Sequence, residues 1–254
     1  MRRGAELFSS LLSRLCQHGY VLVDAVTDVE ITQSDRNVFD GLAPAAWEKL
    51  RDEFVPGDEV HPGLLHERSS GMRRSMAADA IMATETLPKK LQAAQVHAKA
   101  VLDGMGIITG ETDCNTHVAT WVVLHSKVGC HVQKYIHCDR AREDSQKMTD
   151  EDSNIESYLR RCHISAMVAL MDDTAVHVKI QGKNTLLRVA VPKGSMLLWR
   201  GDWPHCGAAN TSDHDHYRLF AHIDSLMTMS EIEVDDEGYE VLLPAAEYSL
   251  GDCP

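Results

Sequence analysis

The amino-acid sequence predicts an α+β fold with a mostly β core, arranged as a sandwich or barrel that carries N-terminal helices on one outer face. Helical periodicity is confined to the part of the chain before Gly110. After Gly110 come short β-branched or aromatic segments bounded by Gly, Pro, Asn or Asp, a pattern that indicates many closely spaced strands. The length of 254 residues is enough to bury one sizeable core, in one large domain or two small ones.

Three helices and one strand are predicted in the N-terminal half. Leucines recur at helical spacing over residues 5–17, and Gly19 ends that helix before the apolar strand 20–24. A proline suited to a first helical turn opens residues 44–54, and residues 87–105 are rich in Ala, Lys, Leu and Gln. We expect the helices 5–17 and 87–105 to cover one face of the sheet.

The C-terminal half predicts seven strands and two tight turns. Each strand is rich in β-branched or aromatic residues, and turn-forming residues separate most strands from the next. The turns are predicted at 181–184 and 192–194. The predicted strands are 118–125, 131–139, 163–170, 175–180, 186–191, 195–200 and 216–224.

Two polar segments belong neither to the predicted helices of the N-terminal half nor to the predicted strands of the C-terminal half. Residues 55–86 hold several prolines and glycines together with Arg68, Arg73 and Arg74, which predicts a long loop that either is solvated or meets an anionic substrate. Residues 141–161 are dense in Glu, Asp, Lys and Arg, so they predict a solvated helix or a mobile insertion. Their position directly after a predicted strand also suits a lid over a site at its end.

Composition narrows the class of protein. Lys plus Arg is 25 and Asp plus Glu is 38, and the net charge of −13 makes nucleic acid a poor partner without excluding it. No apolar run approaches the roughly 20 residues that span a bilayer, so we expect no membrane segment. The basic start of the chain is broken by Glu and Ser, which favours a surface helix over a signal peptide. Seven cysteines without a Cys-x-x-Cys pair favour reduced thiols and an intracellular, cytoplasmic location, with the nucleus left open.

A candidate metal site comes from one His-x-Asp motif and one distant histidine. His137 and Asp139 are two residues apart in a predicted strand, so their side chains project from the same face. The chain between Asp139 and His205 is long enough for about four to six short strands, which can bring His205 back across a sandwich to the His137 and Asp139 pair. Two histidines and one carboxylate on one side of an ion form the facial triad of non-haem Fe(II) oxygenases and leave coordination positions open. The sequence therefore predicts iron ligands at His137, Asp139 and His205.

Arg218 is a candidate anion-binding residue. It lies inside the last predicted strand, on the same face as Phe220 and His222. A guanidinium that points into a barrel needs an anionic partner, because a buried unpaired charge is very costly. The carboxylate of a bound organic acid meets that need in a bidentate pair.

At these residues the sequence resembles the 2-oxoglutarate and Fe(II)-dependent dioxygenases. In that superfamily a His-x-Asp motif, a distal His and then an Arg lie on successive strands of a double-stranded β-helix. The resemblance covers roughly residues 116–225 and includes Gly194 before an apolar strand, and Gly201 and Gly207 on either side of His205.

The resemblance implies a double-stranded β-helix core, which is a jelly-roll or cupin-like architecture, with the N-terminal helices packed on one sheet. It also implies Fe(2+) and 2-oxoglutarate as cofactors, with the three predicted ligands on the iron and no catalytic residue beyond them. The expected organisation is a single domain with a helical support region over 1–115, the core over 116–225 and an acidic C-terminal extension over 226–254.

The resemblance further implies that Arg218 binds the distal carboxylate of 2-oxoglutarate. Many members of the superfamily have a serine two residues after that arginine, where this sequence has Phe220. A hydroxyl partner for the carboxylate then has to come from another strand, and Thr120 and Tyr135 are the candidates.

Three other residues are candidate substrate contacts. Trp203 can stack on a substrate or serve as a core aromatic, and Arg200 can pair with a substrate acid or with a neighbouring carboxylate. A second His-x-Asp motif begins at His222, but no histidine follows it to complete a triad, so it is interpreted as structural with His222 at the edge of the site. His214 and His216 lie in a polar segment and are predicted to be solvated rather than ligating.

The sequence supports functions from different classes. The first is a dioxygenase that hydroxylates, or oxidatively demethylates, a small-molecule or protein side-chain substrate, with succinate and carbon dioxide as co-products. The second is a non-catalytic jelly-roll module for metal binding or interaction, whose metal site is structural or lost. Metal-dependent hydrolysis on the same fold is a third. Arg218 favours the dioxygenase, because a structural metal site has no need of an inward arginine.

Overall fold

The strands form two antiparallel sheets that pack against each other in a double-stranded β-helix, as a computed structural model of the chain shows. The predicted α+β fold with a mostly β core is thereby confirmed. The structure describes residues 10–15, 17–41, 73–77, 87–105, 107, 117–132, 139, 163–179, 185–201 and 203–225.

Over these residues the chain forms three helices and nine strands. The helices are α1 (residues 10–15 and 17–18), α2 (Gln33–Gly41) and α3 (Leu87–Gly104). The strands are β1 (Tyr20–Val23), β2 (Arg73–Ala77), β3 (His117–Ser126), β4 (Ile164–Ala169), β5 (Ala175–Lys179), β6 (Leu186–Ala190), β7 (Met196–Arg200), β8 (His205–Gly207) and β9 (His216–Ser225).

The strand order explains how distant parts of the chain meet. The larger sheet has the order β1-β7-β4-β9-β3-β2, and the smaller sheet has the order β6-β5-β8. The last strand, β9, therefore lies between β3 and β4, and β8 returns to pair with β5 in the facing sheet. Segments that are far apart in the sequence consequently share one interior.

Alternation along the strands sorts the core into two layers. In β9, Leu219 and Ala221 belong to the cluster that contains the helix residue Leu91, whereas Phe220 belongs to the cluster between the sheets. Each fully buried Leu, Val, Met or Phe side chain contributes roughly 1.5 to 3 kcal/mol to the stability of the fold. The two layers therefore hold the helices and both sheets together. The layer between the sheets contains Met167, Ala169, Val176, Val178, Val191, Leu197, Trp199, Trp203 and Phe220.

Helix α2 was not predicted, although its start has a sequence signal. The Thr32 backbone N–H and hydroxyl both donate to Oδ2 of Asp35, and the Asp35 backbone N–H donates back to the Thr32 hydroxyl. This reciprocal pair is a capping box with Asp at its fourth position, so Thr-x-x-Asp marks the helix start. Burial of Phe39 on the same helix, stacked 4.2 Å from the ring of Tyr217, then holds α2 against β9.

One predicted segment needs correction, and several others lie outside the described residues. The long loop predicted over 55–86 is wrong at Arg73–Ala77, which pairs with β3 as an edge strand of the larger sheet. The reason is that the partner strand supplies hydrogen bonds that no local pattern reveals. Predictions for 44–54, for most of the strand 131–139, for 141–161, for 181–184 and for Arg68 lie outside the described residues.

Among the described residues, no helix combines the length and the apolar character needed to cross a bilayer. Cys130 and Cys206 are both buried.

Candidate metal centre

Polar side chains from four strands collect at one end of the space between the sheets. His163 and Ser165 come from the start of β4, Trp199 from β7, His205 from β8 and His222 from β9. The strand registers place Ser165 opposite both Trp199 and His222 in the larger sheet. This is the end of the barrel that also receives Asp139.

His205 turns one imidazole nitrogen towards Asp139. Its Nδ1 lies 3.0 Å from the backbone carbonyl oxygen of Trp203, which favours the tautomer that carries its proton on Nδ1. Nε2 then has the lone pair, and it lies 3.6 Å from Oδ1 of Asp139. Both side chains are buried, with 7% and 8% of their surface exposed. The structure thus brings together two of the three predicted metal ligands.

The other carboxylate oxygen of Asp139 is held by two donors. The indole N–H of Trp199 donates to Oδ2 over 2.9 Å, and the hydroxyl of Ser165 donates to the same oxygen. The Trp199 ring lies 5.0 Å from the ring of His205, so one aromatic side chain contacts both candidate ligands. The carboxylate is therefore oriented with Oδ1 towards the imidazole.

His163 and His222 form a second imidazole pair beside the carboxylate. His163 Nε2 lies 3.2 Å from His222 Nδ1 and also 3.2 Å from the hydroxyl of Ser165. Ligand atoms of Asp139, His163 and His222 all lie within 4.8 Å of one another. His222 thus lies beside Asp139, whereas the sequence predicted no role for His163.

Arg218 lies further along β9 from the histidine cluster. It is four residues before His222 on the same strand face, a separation of about 13 Å along an extended chain. Its Nη1 donates to the hydroxyl of Ser126 over 3.2 Å, and its neighbours across the larger sheet are Leu124 and Ala169. Arg218 is half-buried on the face that Phe220 shares with the layer between the sheets.

Of the two predicted hydroxyl partners of Arg218, only the backbone of Thr120 lies within the described residues. Thr120 pairs with His222 in the register of β3 and β9, so its backbone is four residues from Leu124, which pairs with Arg218. Tyr135 and His137 lie outside the described residues. The hydroxyl that does contact Arg218 belongs to Ser126, at the other end of β3 from Thr120.

His216 was predicted to be solvated, and that prediction is wrong. The side chain is buried, and its Nε2 lies 2.8 Å from the carbonyl oxygen of Asp172 and 3.1 Å from the hydroxyl of Thr174. Burial, and then the positive charge of Arg218, lower the pKa of His216 to about 4. The ring is therefore neutral near pH 7, and His214 remains half-exposed on the preceding loop.

Trp203 and Arg200, two predicted substrate contacts, lie near the candidate metal centre. In the structure their side chains contact each other. The Arg200 guanidinium carbon lies 5.4 Å from the centre of the Trp203 ring, a cation–π distance. Trp203 is 7% exposed and packs with Trp199, and its Nε1 is buried without a hydrogen-bond partner among the described residues. The Trp203 ring also fills the space beside Gly19. Packing within the protein therefore explains the burial of most of the Trp203 side chain.

No protein-family model matches this sequence, and no curated protein matches it. Solved structures do match. A prolyl hydroxylase from Trichoplax adhaerens, in complex with a peptide fragment of hypoxia inducible factor, aligns with a TM-score of 0.51 over 91% of this chain and 95% of that chain, at 10% identity. The fold is that of this prolyl hydroxylase.

Two other solved structures are similar to this chain at lower TM-scores. The epimerase SnoN, in complex with Fe3+, alpha ketoglutarate and nogalamycin RO, matches with a TM-score of 0.49 over 97% of each chain at 15% identity. HygX from Streptomyces hygroscopicus, with nickel and 2-oxoglutarate bound, matches with a TM-score of 0.48 over 85% of this chain and 87% of that chain at 15% identity. The double-stranded β-helix that the resemblance implied is confirmed by the two antiparallel sheets and by the match to the prolyl hydroxylase.

Four residues near the candidate site could not be assigned to it from the sequence. Two of them carried a weak signal, because His163 and Ser165 have the spacing of two that puts both on one strand face. Trp199 and Ser126 carried none, since their contacts with Asp139 and Arg218 depend on strand neighbours that are distant in the chain.

Proposed function

We propose that the protein is a non-haem Fe(II), 2-oxoglutarate-dependent dioxygenase that hydroxylates, or oxidatively demethylates, its substrate and releases succinate and carbon dioxide. Fold alone does not determine function, so the proposal depends on the site. The observation that supports it most is the juxtaposition of His205 Nε2 and Asp139 Oδ1, 3.6 Å apart and buried, in a barrel that also contains Arg218.

The donor set fits a ferrous ion. His137, Asp139 and His205 are the proposed ligands, and two imidazoles with one carboxylate suit iron of this type. Two donor atoms about 2.1 Å from one ion and about 90 to 110° apart are separated by about 3.0 to 3.5 Å. The observed 3.6 Å between the described pair needs only a slight closure. Bound iron supplies the activation of dioxygen that is coupled to the oxidative decarboxylation of 2-oxoglutarate.

The hydrogen bond made by Nδ1 of His205 is consistent with the assignment of this residue as an iron ligand. A metal-binding imidazole generally donates its other N–H to a carbonyl or carboxylate, which fixes the ring and the tautomer. The Nδ1 contact with the Trp203 carbonyl oxygen, 3.0 Å away, is of that kind. Likewise, the donors on Asp139 Oδ2 orient the carboxylate and leave Oδ1 to face the ion.

Arg218 is proposed to bind the distal carboxylate of 2-oxoglutarate. A guanidinium pairs with a carboxylate through two parallel hydrogen bonds, and partial burial strengthens the pair. His216 is neutral near pH 7, so it adds no second positive charge beside the Arg218 guanidinium. The guanidinium charge is then available to the carboxylate of 2-oxoglutarate. The apolar side chains of Phe220 and Met167 line the layer between Arg218 and the metal-binding end, where they exclude water.

The proposed substrate is a small molecule or a protein side chain. The net charge of −13 disfavours a long nucleic acid, and the matched Trichoplax enzyme has a bound peptide. Trp203, Arg200 and His222 remain the proposed substrate contacts, with Thr120 and Tyr135 as further candidates near the 2-oxoglutarate. Among these, His222 has the strongest geometric support, because it adjoins Asp139.

The proposal is tested by anaerobic titration of the metal-free protein with Fe(II) and 2-oxoglutarate, followed by exposure to dioxygen. We expect a weak visible charge-transfer absorption on titration and succinate on exposure, both lost in His205→Ala. A folded wild-type protein that gives neither signal contradicts the proposal and leaves the non-catalytic jelly-roll module. Turnover of a substrate without succinate would instead indicate metal-dependent hydrolysis.

A further inference from the structure

We propose that Asp139, His163 and His222 form a second site for a divalent transition-metal ion, which shares its carboxylate with the proposed iron site. Two imidazoles and one carboxylate converge there, with their ligand atoms within 4.8 Å of one another. The sharing of Asp139 rests on the proposed function, whereas His163 and His222 lie outside the proposed iron ligands.

The separation of the two imidazoles suits a common ion. Two imidazole nitrogens bound to one ion at about 2.0 to 2.1 Å are about 3.0 to 3.4 Å apart at octahedral or tetrahedral angles. His163 Nε2 and His222 Nδ1 are 3.2 Å apart, within that range. The two rings are tilted by 41° with their centres 5.2 Å apart, so neither ring stacks flat on the other.

The sheet holds the two histidines in place. His222 pairs with Ser165 in the register of β9 and β4, and His163 precedes Ser165 by two residues on the same strand face. Diagonal neighbours of this kind are within reach of each other when the side chains are long. His163 is 5% exposed and His222 is half-buried, so an ion bound to both would keep one side open to ligands.

Asp139 completes the set from a loop position beside the sheet. The Ser165 hydroxyl donates to Oδ2 of Asp139 and lies 3.2 Å from His163 Nε2, so it stands between the carboxylate and the imidazole. Because Oδ1 faces the proposed iron site and Oδ2 accepts from Trp199 and Ser165, the second ion would take Oδ2 in place of the Ser165 hydroxyl. Ligand atoms 4.8 Å apart must close by about 0.6 Å to lie opposite each other across a common ion, and by about 1.4 to 1.8 Å to lie at tetrahedral or right angles.

The donors define the class of ion. Imidazole nitrogens with one carboxylate favour Zn²⁺, Co²⁺, Ni²⁺ or Fe²⁺ over Mg²⁺ and Ca²⁺, which prefer all-oxygen sites. The competing explanation is a hydrogen bond between two neutral imidazoles with no ion. The two explanations differ in metal stoichiometry, which can be measured without 2-oxoglutarate, dioxygen or a substrate.

The test uses the full chain, freed of metal with a chelator and titrated with Co²⁺ alone. Equilibrium dialysis with metal analysis counts bound ions, and the visible absorption of Co²⁺ reports its coordination. We expect two equivalents in the wild type, one in His163→Ala/His222→Ala and one in His205→Ala. His214→Ala, which removes a half-exposed histidine from a loop, is the matched control and keeps two.

The outcomes separate this proposal from the proposed function. A cobalt count that is unchanged in His163→Ala/His222→Ala overturns the second site, whatever the activity. If the double variant loses one cobalt ion and His205→Ala keeps that ion, the second site is supported. This conclusion holds even if the iron ligands have been assigned wrongly. Circular dichroism checks folding, and if the double variant does not fold, His222→Gln alone should bind the second ion at least tenfold more weakly.

Discussion

The indole N–H of Trp199 donates a hydrogen bond to Oδ2 of Asp139 over 2.9 Å, and the same ring lies 5.0 Å from the ring of His205. Trp199 is 2% exposed and belongs to the layer between the sheets. One core side chain therefore links the packing of the barrel to the orientation of both described candidate ligands. A change in this residue should affect metal binding before it affects the fold.

Replacement of Trp199 by phenylalanine keeps an aromatic ring in the core but removes the donor to Asp139. Hydrogen bonds to metal ligands are worth about 10- to 100-fold in metal affinity, so we expect a loss of that size for Trp199→Phe. Titration with Fe(II) or Co²⁺ under anaerobic conditions measures it. Trp121→Phe is the control, because Trp121 packs in the helix-side layer. Equal affinity in the two variants would contradict the proposed role of Trp199.

Loss of the guanidinium of Arg218 should weaken 2-oxoglutarate binding. Hydrogen bonds to charged groups contribute about 1.5 to 3 kcal/mol, so Arg218→Gln should raise the Kd for 2-oxoglutarate by about 10- to 150-fold. Calorimetry with the Co²⁺-loaded protein in the absence of dioxygen measures the change. Arg188→Gln serves as the control, since Arg188 is exposed on β6, and it should leave the Kd unchanged. A similar Kd in Arg218→Gln and wild type would exclude Arg218 as the anchor.

Acid should destabilise the protein through His216. Burial lowers its pKa from 6.5 to about 4, so the folded state favours the neutral ring. Its contribution to stability is complete above pH 6.5 and is lost as the pH falls from 6.5 towards 4, by about 3 kcal/mol in all. Urea unfolding at several pH values measures this loss.

The matched variants for that measurement are His216→Gln and His214→Gln. His216→Gln should reduce the slope of unfolding free energy against pH between 6.5 and 4, whereas His214→Gln should preserve it. His214 is half-exposed, so its replacement removes a titrating group without removing the buried one. The same slope in all three proteins would show that another group governs acid stability.

Gly19 should tolerate no side chain, for two separable reasons. Its φ of 77° is in the left-handed region, and an added Cβ would lie 1.9 Å from the nearest ring atom of Trp203. Gly129 has a similar φ of 73° but open space around the Cβ position. Gly129→Ala should therefore cost about 1 to 2 kcal/mol of stability from the backbone alone. Gly19→Ala should cost about 1 to 3 kcal/mol more from overpacking, and equal unfolding free energies would refute the clash.

Much of the fold follows from local patterns in the chain. Most predicted strands after Gly110 lie within a few residues of observed ones, because period-two alternation and turn residues are local properties. The edge strand Arg73–Ala77 was missed, since it is stabilised by pairing with β3 rather than by its own residues. The helix Gln33–Gly41 could have been recognised from Thr32 and Asp35, a signal that was overlooked.

The sequence by itself determined the sheet-rich fold and the inward face of Arg218, because strand alternation fixes which side chains share a face, and it predicted Asp139 and His205 as metal ligands. Only the tertiary structure decided which partners those side chains meet: Trp199 on Asp139 and Ser126 on Arg218. The physical reason is that such contacts depend on which strands are neighbours in a sheet and on their register. Both are set by packing across the whole barrel, and no short stretch of sequence encodes them.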